Sequence, residues 1–290
     1  MSRVIFSHIA LFIANMIYAL NYIIAKDVMP EFVSPKAFIL IRVLGALVIF
    51  MFIHVVFIRE KIERKDTLYI IICALFGVVI NMLCFFEGLS LTSPINASLI
   101  MITTPLLVYI IDVIFFNRQH ASSKFLGVIL GLMGAFLLIT EGSINFRIHN
   151  LGDILVFLNA SSYALYLILI KSMMQKYKPI TVLTHLFFIG FIIILPLGYT
   201  EFSEINFNLL PFDIILKILF VVLCTTCLAY FLNIYAISNL HPSTVAFYIY
   251  LQPLLATIFA IILGKDFLTT IKLLSAFFIF LGVYFVIQRE

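Results

Sequence analysis

The chain is dominated by apolar runs too long and too numerous for a water-soluble core. Ten can be marked, at about 5–25, 37–58, 68–89, 96–116, 125–140, 154–174, 181–199, 214–237, 243–263 and 271–287. A bilayer-spanning helix needs about 20 mainly apolar residues. Hydrophobic residues make up 64% of the chain and charged residues 11%. Soluble domains carry about 25% charged residues, so lipid must solvate most of this surface. The runs are continuous rather than alternating, which favours helices over a β-barrel. The expected fold is an all-α integral membrane protein with ten transmembrane helices. The first run reads as a retained helix rather than a cleaved leader. The loops are too short for a soluble domain, and a net charge of +4 spread over them gives no reason to expect nucleic acid.

The chain repeats itself. A shift of 148 aligns residues 90–141 with 238–289 without a gap. It pairs Ser90 with Ser238, Pro94 with Pro242 and Pro105-Leu106-Leu107 with Pro253-Leu254-Leu255. It also pairs Lys124 with Lys272 and Gly134 with Gly282. A shift of 145 brings YALNYIIAKDVM (18–29) onto YALYLILIKSMM (163–174). Each half, 1–141 and 142–290, then holds five helices. Five is odd, so the second half enters the membrane from the opposite face, giving an inverted repeat typical of secondary transporters. Loop Lys and Arg residues number eleven on the N-terminal side and five on the other. That bias puts both termini in the cytoplasm.

The motif YALNYIIAK at 18–26, with Asn21 and Lys26, resembles the first-helix signature of the drug/metabolite transporter superfamily, EamA type. Tyr18 and Ala19 stand where that family usually has Trp and Gly. IRVLGA at 41–46, the segments 87–107 and 235–255, and LGKD at 263–266 resemble further parts of its two domains. The resemblance implies a metabolite carrier of the bacterial inner membrane with both termini inside. Its partners would be a small-molecule substrate and the bilayer, with protons as the candidate coupling ion. Family precedent favours export of an amino acid or similar amphipathic solute. An uncoupled carrier or a drug exporter of the same fold are the alternatives. The oligomer stays open between monomer and homodimer.

Polar residues inside apolar runs need a reason, because a charge at mid-membrane costs roughly 2.5–3.5 kcal/mol. Asn15, Tyr18 and Asn21/Tyr22 form one helical stripe, and Asn159, Tyr163 and Tyr166 form another. Thr226, Tyr230 and Asn233, and Thr244, Tyr248 and Gln252, make similar stripes on later helices. The expected substrate wall is Tyr18, Asn21, Asn81, Tyr163, Tyr166, Tyr230, Tyr248 and Gln252, since Tyr offers apolar area with a hydroxyl tip. The competing reading is interhelical hydrogen bonding, worth roughly 0.6–2 kcal/mol per bond. Glu87 is the proton-coupling candidate, unless it sits among headgroups or pairs with Arg42. Arg42 itself and Asp112 read as interfacial or loop-pairing residues.

Pro105 and Pro253 remove a backbone donor at matched positions and mark expected kinks. Gly127 and Gly131 form a GxxxG, read as packing within one protomer. Cys224 and Cys227 have CxxC spacing but sit in an apolar run, which favours packing over metal or redox chemistry. No nucleotide-binding loop, HExxH or GxSxG occurs, so neither ATP nor any cofactor is expected. An intramembrane enzyme would need convergent catalytic groups, and a channel would more naturally use parallel symmetry. Both are weaker readings than a transporter.

Overall fold

A computed structural model describes residues 2–92, 94–116, 122–140, 151–262 and 269–287. The LGKD segment at 263–266 lies outside the described residues. The fold is all-α, with no strand among the described residues. In hydrocarbon a helix satisfies its own backbone, which is why these runs become helices. Among the described residues six are long and apolar enough to cross a membrane: Arg3–Val28, Pro35–Ile58, Arg64–Leu91, Leu151–Met174, Pro179–Ser203 and Phe212–Asn239. Shorter apolar helices cover Thr104–Ile114, Ser123–Leu137 and Thr270–Phe285. Large apolar side chains such as Phe52, Phe57, Leu216, Phe277 and Phe280 face outward. A shell of that kind belongs against lipid rather than water.

The first two runs are α1 (Ser2–Val28) and α2 (Pro35–Ile53), which continues into a π-helical turn at His54–Ile58. The third run is α3 (Thr67–Ala74), a π-helical turn at Leu75–Val79, and α4 (Ile80–Leu91). The fourth is α5 (Pro94–Met101) and α6 (Thr104–Phe116), separated at 102–103. Next come α7 (Ser122–Thr140), α8 (Leu151–Met174) and α9 (Pro179–Ser203). The eighth run is α10 (Phe212–Phe220), a π-helical stretch at Val221–Leu228, and α11 (Ala229–Asn239). The ninth is α12 (Pro242–Phe247), a 3₁₀ turn at Tyr248–Tyr250 and α13 (Leu251–Ile262). The last is α14 (Thr270–Ile287).

The interruptions recur at the spacing of the sequence repeat. A shift of 148 carries 75–79 to 223–227, inside the π-helical stretch 221–228. It carries the break at 102–103 to 250–251, where the 3₁₀ turn meets α13. Each of these two breaks lies just ahead of its proline, Pro105 or Pro253. There the missing N–H leaves the preceding turn without a bond to hold it. At the first break the Ile100 carbonyl accepts from both the Thr103 backbone N–H at 3.0 Å and the Thr103 hydroxyl at 2.7 Å.

Two lysines do the same work in the two halves. Lys26 Nζ donates to the carbonyls of Leu89, Ser90 and Thr92 at 2.8, 2.9 and 3.0 Å. Lys171 Nζ donates to those of Ile237, Ser238 and Leu240 at 2.7, 3.3 and 2.9 Å. The lysines are 145 apart and each pair of carbonyls 148 apart. A cation at a helix C-terminus satisfies orphan carbonyls and opposes the negative end of the helix dipole.

The helices α7 and α14 meet backbone to backbone. A Cβ on Gly134 would stand 2.8 Å from the Ser275 carbonyl oxygen and 2.9 Å from the Ile279 nitrogen. One on Gly282 would stand 2.7 Å from the Gly127 oxygen and 2.8 Å from the Gly131 nitrogen. These two sets of contacts interchange under the 148-residue shift. The GxxxG of Gly127 and Gly131 therefore serves contact within the protomer. Gly88 and Gly152 give α4 and α8 a similar close approach. Gly282→Leu should cost at least about 1–3 kcal/mol by forcing the backbones apart. The expected result is a lowered midpoint for thermal loss of the monodisperse detergent-solubilised peak. Phe280→Ala, on the exposed face of α14, is the control.

Candidate functional site

The polar stripes converge on a central cavity. It is lined from α1 by Asn15, Tyr18, Asn21 and Tyr22, and from α2 by Arg42. The third run contributes Asn81, Met82, Phe85 and Phe86, and α8 contributes Asn159 and Tyr163. Thr225, Tyr230 and Asn233 come from the eighth run, and Val245, Ile249 and Gln252 from the ninth; Met101 completes the wall. The space free of protein atoms is about 690 Å³, part of it continuous with solvent.

Hydrogen bonds tie the wall together across helices. The Tyr22 hydroxyl donates to Gln252 Oε1 at 3.2 Å, and Gln252 Nε2 donates to Asn15 Oδ1 at 2.8 Å. Asn15 Nδ2 in turn donates to the Leu11 carbonyl at 2.8 Å. Asn233 Nδ2 donates to the Tyr18 hydroxyl at 3.2 Å and to the Ala229 carbonyl at 2.9 Å. Asn159 Nδ2 donates to the Asn81 carbonyl at 2.7 Å.

The π-helical turn at Leu75–Val79 shapes this wall. A π-turn displaces carbonyls from the regular ladder. The Phe76 carbonyl accepts from the Ser162 hydroxyl at 2.7 Å, and the Gly77 carbonyl from the Tyr230 hydroxyl at 3.2 Å. In the second π-helical stretch, the Thr226 hydroxyl donates to the Val221 carbonyl at 2.8 Å.

Six of the eight expected wall residues stand on the cavity: Tyr18, Asn21, Asn81, Tyr163, Tyr230 and Gln252. Tyr166 and Tyr248 stand apart from it. The Tyr166 ring lies against Gly77, which has no side chain to keep it away, and is 3% exposed. Tyr248 is 7% exposed, and its hydroxyl is hydrogen-bonded at 2.8 Å to His8 Nδ1 on α1. Helical spacing puts both on the right stripe. It does not foresee the close approach of α8 to the third run, nor the 3₁₀ turn that rotates residue 248.

Arg42 differs from its expected interfacial place. It lies seven residues after the start of α2, is 2% exposed, and forms part of the cavity wall. Its Nε donates to Thr226 Oγ1 at 2.8 Å, and its guanidinium carbon stands 4.2 Å from the Phe86 ring centroid. An arginine inside an apolar run is itself the signal, because such a charge is kept only with partners. Nearness to the helix start does not capture the reach of its side chain.

Glu87 lies away from the cavity, at the end of the bundle where α2 begins. It faces Lys36 Nζ at 4.0 Å rather than Arg42, and Lys36 also pairs with Glu201 at 3.2 Å. Glu201 accepts in addition from the Ser34 hydroxyl. At the other end Asp66 accepts from Lys176 Nζ at 2.9 Å and from the Tyr177 hydroxyl at 2.8 Å. Asp112, buried, faces His241 Nε2 at 3.4 Å in the turn before α12.

A cavity walled by polar and aromatic side chains between membrane-length apolar helices fits a membrane transport protein by class. The EamA-like transporter family model matches residues 5–140 and 150–288, and the chain belongs to that family. An uncharacterized transporter of Bacillus subtilis (strain 168), YyaM, is 26% identical over 230 residues, covering 78% of this chain and 75% of its own. An uncharacterized transporter of Archaeoglobus fulgidus is 28% identical over 204 residues, covering 69% of each. A solved crystal structure superposes with a TM-score of 0.76 over 99% of this chain and 97% of its own, at 13% identity. That likeness concerns the fold.

Replacing Gln252 by Leu would leave the Tyr22 hydroxyl and Asn15 Oδ1 without their α13 partner. The expected cost is about 0.6–2 kcal/mol, less than for Gly282→Leu. Paired unfolding measurements of the two variants in one detergent check that order.

Proposed function

We propose that this transporter moves a small amphipathic metabolite by alternating access, with the central cavity as its binding site. The observation that carries this reading is the origin of the wall. It is built from both halves, 1–141 and 142–290, and broken helices stand beside it at corresponding positions. Two halves that are inverted copies can exchange conformations, so one sequence can encode both facing states. Export across the bacterial plasma membrane, with both termini cytoplasmic, is the direction and setting this reading adopts from the loop charges and the family.

The ends of the bundle suit gates. Lys36, Glu87 and Glu201 would close the outer end, and Asp66, Lys176 and Tyr177 the inner. The Lys36 pairs are partly exposed, and such pairs are individually weak, about 0–1 kcal/mol, which suits contacts that must break in each cycle. A second reading, an uncoupled carrier, is favoured by the absence of Asp and Glu among the described residues lining the cavity. Glu87 remains the coupling candidate against it.

Two measurements decide. With the four native cysteines replaced, Tyr163→Cys should react with a membrane-impermeant thiol reagent from either face, and modification should abolish flux of any metabolite carried in proteoliposomes. Flux that survives full modification would place transport elsewhere. In the same vesicles Glu87→Gln should abolish uptake driven by a pH gradient and spare exchange if Glu87 carries the proton. Unchanged gradient-driven uptake would leave Glu87 as a gate residue.

A further inference from the structure

Among the described residues lining the cavity there is one full charge, and it is positive. Arg42 is 2% exposed, and its Nη1 has no hydrogen-bond partner among the described residues. Its contacts are with neutral groups: the Thr226 hydroxyl accepts from Nε and the Phe86 ring lies against its face. The remaining lining side chains are Asn, Gln, Tyr, Thr and apolar groups. Arginine cannot shed its proton in a protein, so burial does not neutralise it. A guanidinium taken out of water without an anion is costly, and one with an N–H left unpaired more so.

We infer that Arg42 is the receptor for an anionic group of the transported solute, and that the solute is an organic carboxylate with an apolar body. This rests on the cavity being the transport site. A carboxylate would accept from the free Nη1 edge of the guanidinium, whose planar fork matches the two carboxylate oxygens. It would also neutralise the buried charge. Tyr22, Met82, Phe85 and Tyr163 supply the surface for the body of the molecule. A free amine would meet like charge, with no carboxylate among the described wall residues to answer it. Phosphate monoesters, at about −1.5 to −2, carry more charge than one guanidinium balances. The preference for carboxylate is thus a matter of charge count as well as geometry.

The chain contains no tryptophan, so Phe85→Trp places a single fluorescent reporter on the cavity wall. The full-length variant in lipid nanodiscs is titrated with 3-phenylpropionate, 3-phenylpropan-1-ol and 3-phenylpropylamine, which share one apolar body. The carboxylate should give a saturable change with affinity at least about tenfold above the other two. Arg42→Gln in the reporter background should erase that preference. Arg42→Lys, which keeps the charge and loses the fork, should retain the order at lower affinity. Equal affinity for the amine or alcohol, a carboxylate affinity unmoved by Arg42→Gln, or no saturable response to the carboxylate would each overturn the assignment. None of these results touches the flux block at Tyr163→Cys, so failure of the carboxylate assignment and failure of the cavity as transport site are read separately.

Discussion

Two ammonium groups hold the architecture in register. Each sits at the end of a long helix and gathers three carbonyls from the turn that leads into a broken helix: Lys26 at Leu89, Ser90 and Thr92, Lys171 at Ile237, Ser238 and Leu240. At a helix end those carbonyls have lost their backbone partners. A single cation answers all three and ties α1 to the end of α4, and α8 to the end of α11. The two helices tied in this way are α1 and α8, which carry the stripes that meet at the cavity.

Irregular backbone stands beside the cavity and is tied to other helices by side chains. The π-helical turn at 75–79 presents carbonyls to hydroxyls from other helices, and in the stretch 221–228 a threonine hydroxyl of the same helix answers a carbonyl. Irregular backbone at membrane depth persists only where protein or water satisfies it. The polar groups here do two jobs at once. They bond across helices, as the Asn15–Gln252–Tyr22 chain does, and they face the space where a solute would lie. Packing and binding are therefore not competing explanations for these residues.

Much of this is legible in the sequence. Ten apolar runs announce the helices. The identities 148 apart, Pro with Pro and Gly with Gly, anticipate both the matched breaks and the contact of Gly134 and Gly282 with the opposite backbone. Six wall residues come from 100° per residue. Tyr166 and Tyr248 do not: a helical wheel for α8 cannot register the close packing against Gly77 that takes up the Tyr166 ring, and it cannot register the 3₁₀ turn in which Tyr248 sits. The π-turns themselves leave no motif: LFGVV reads as any other buried helix. Arg42 is visible as a charge but not in its place, since distance from the helix start says little about where a long, flexible stem delivers its guanidinium.

The seam between α7 and α14 has a mechanical consequence. Where glycine lies against glycine, each backbone is held in a groove of the other, and a shift of one residue along the axis would drive a side chain into a carbonyl. The two helices can tilt together but cannot slip. A rearrangement of the bundle that kept this seam intact would carry the two helices as one piece.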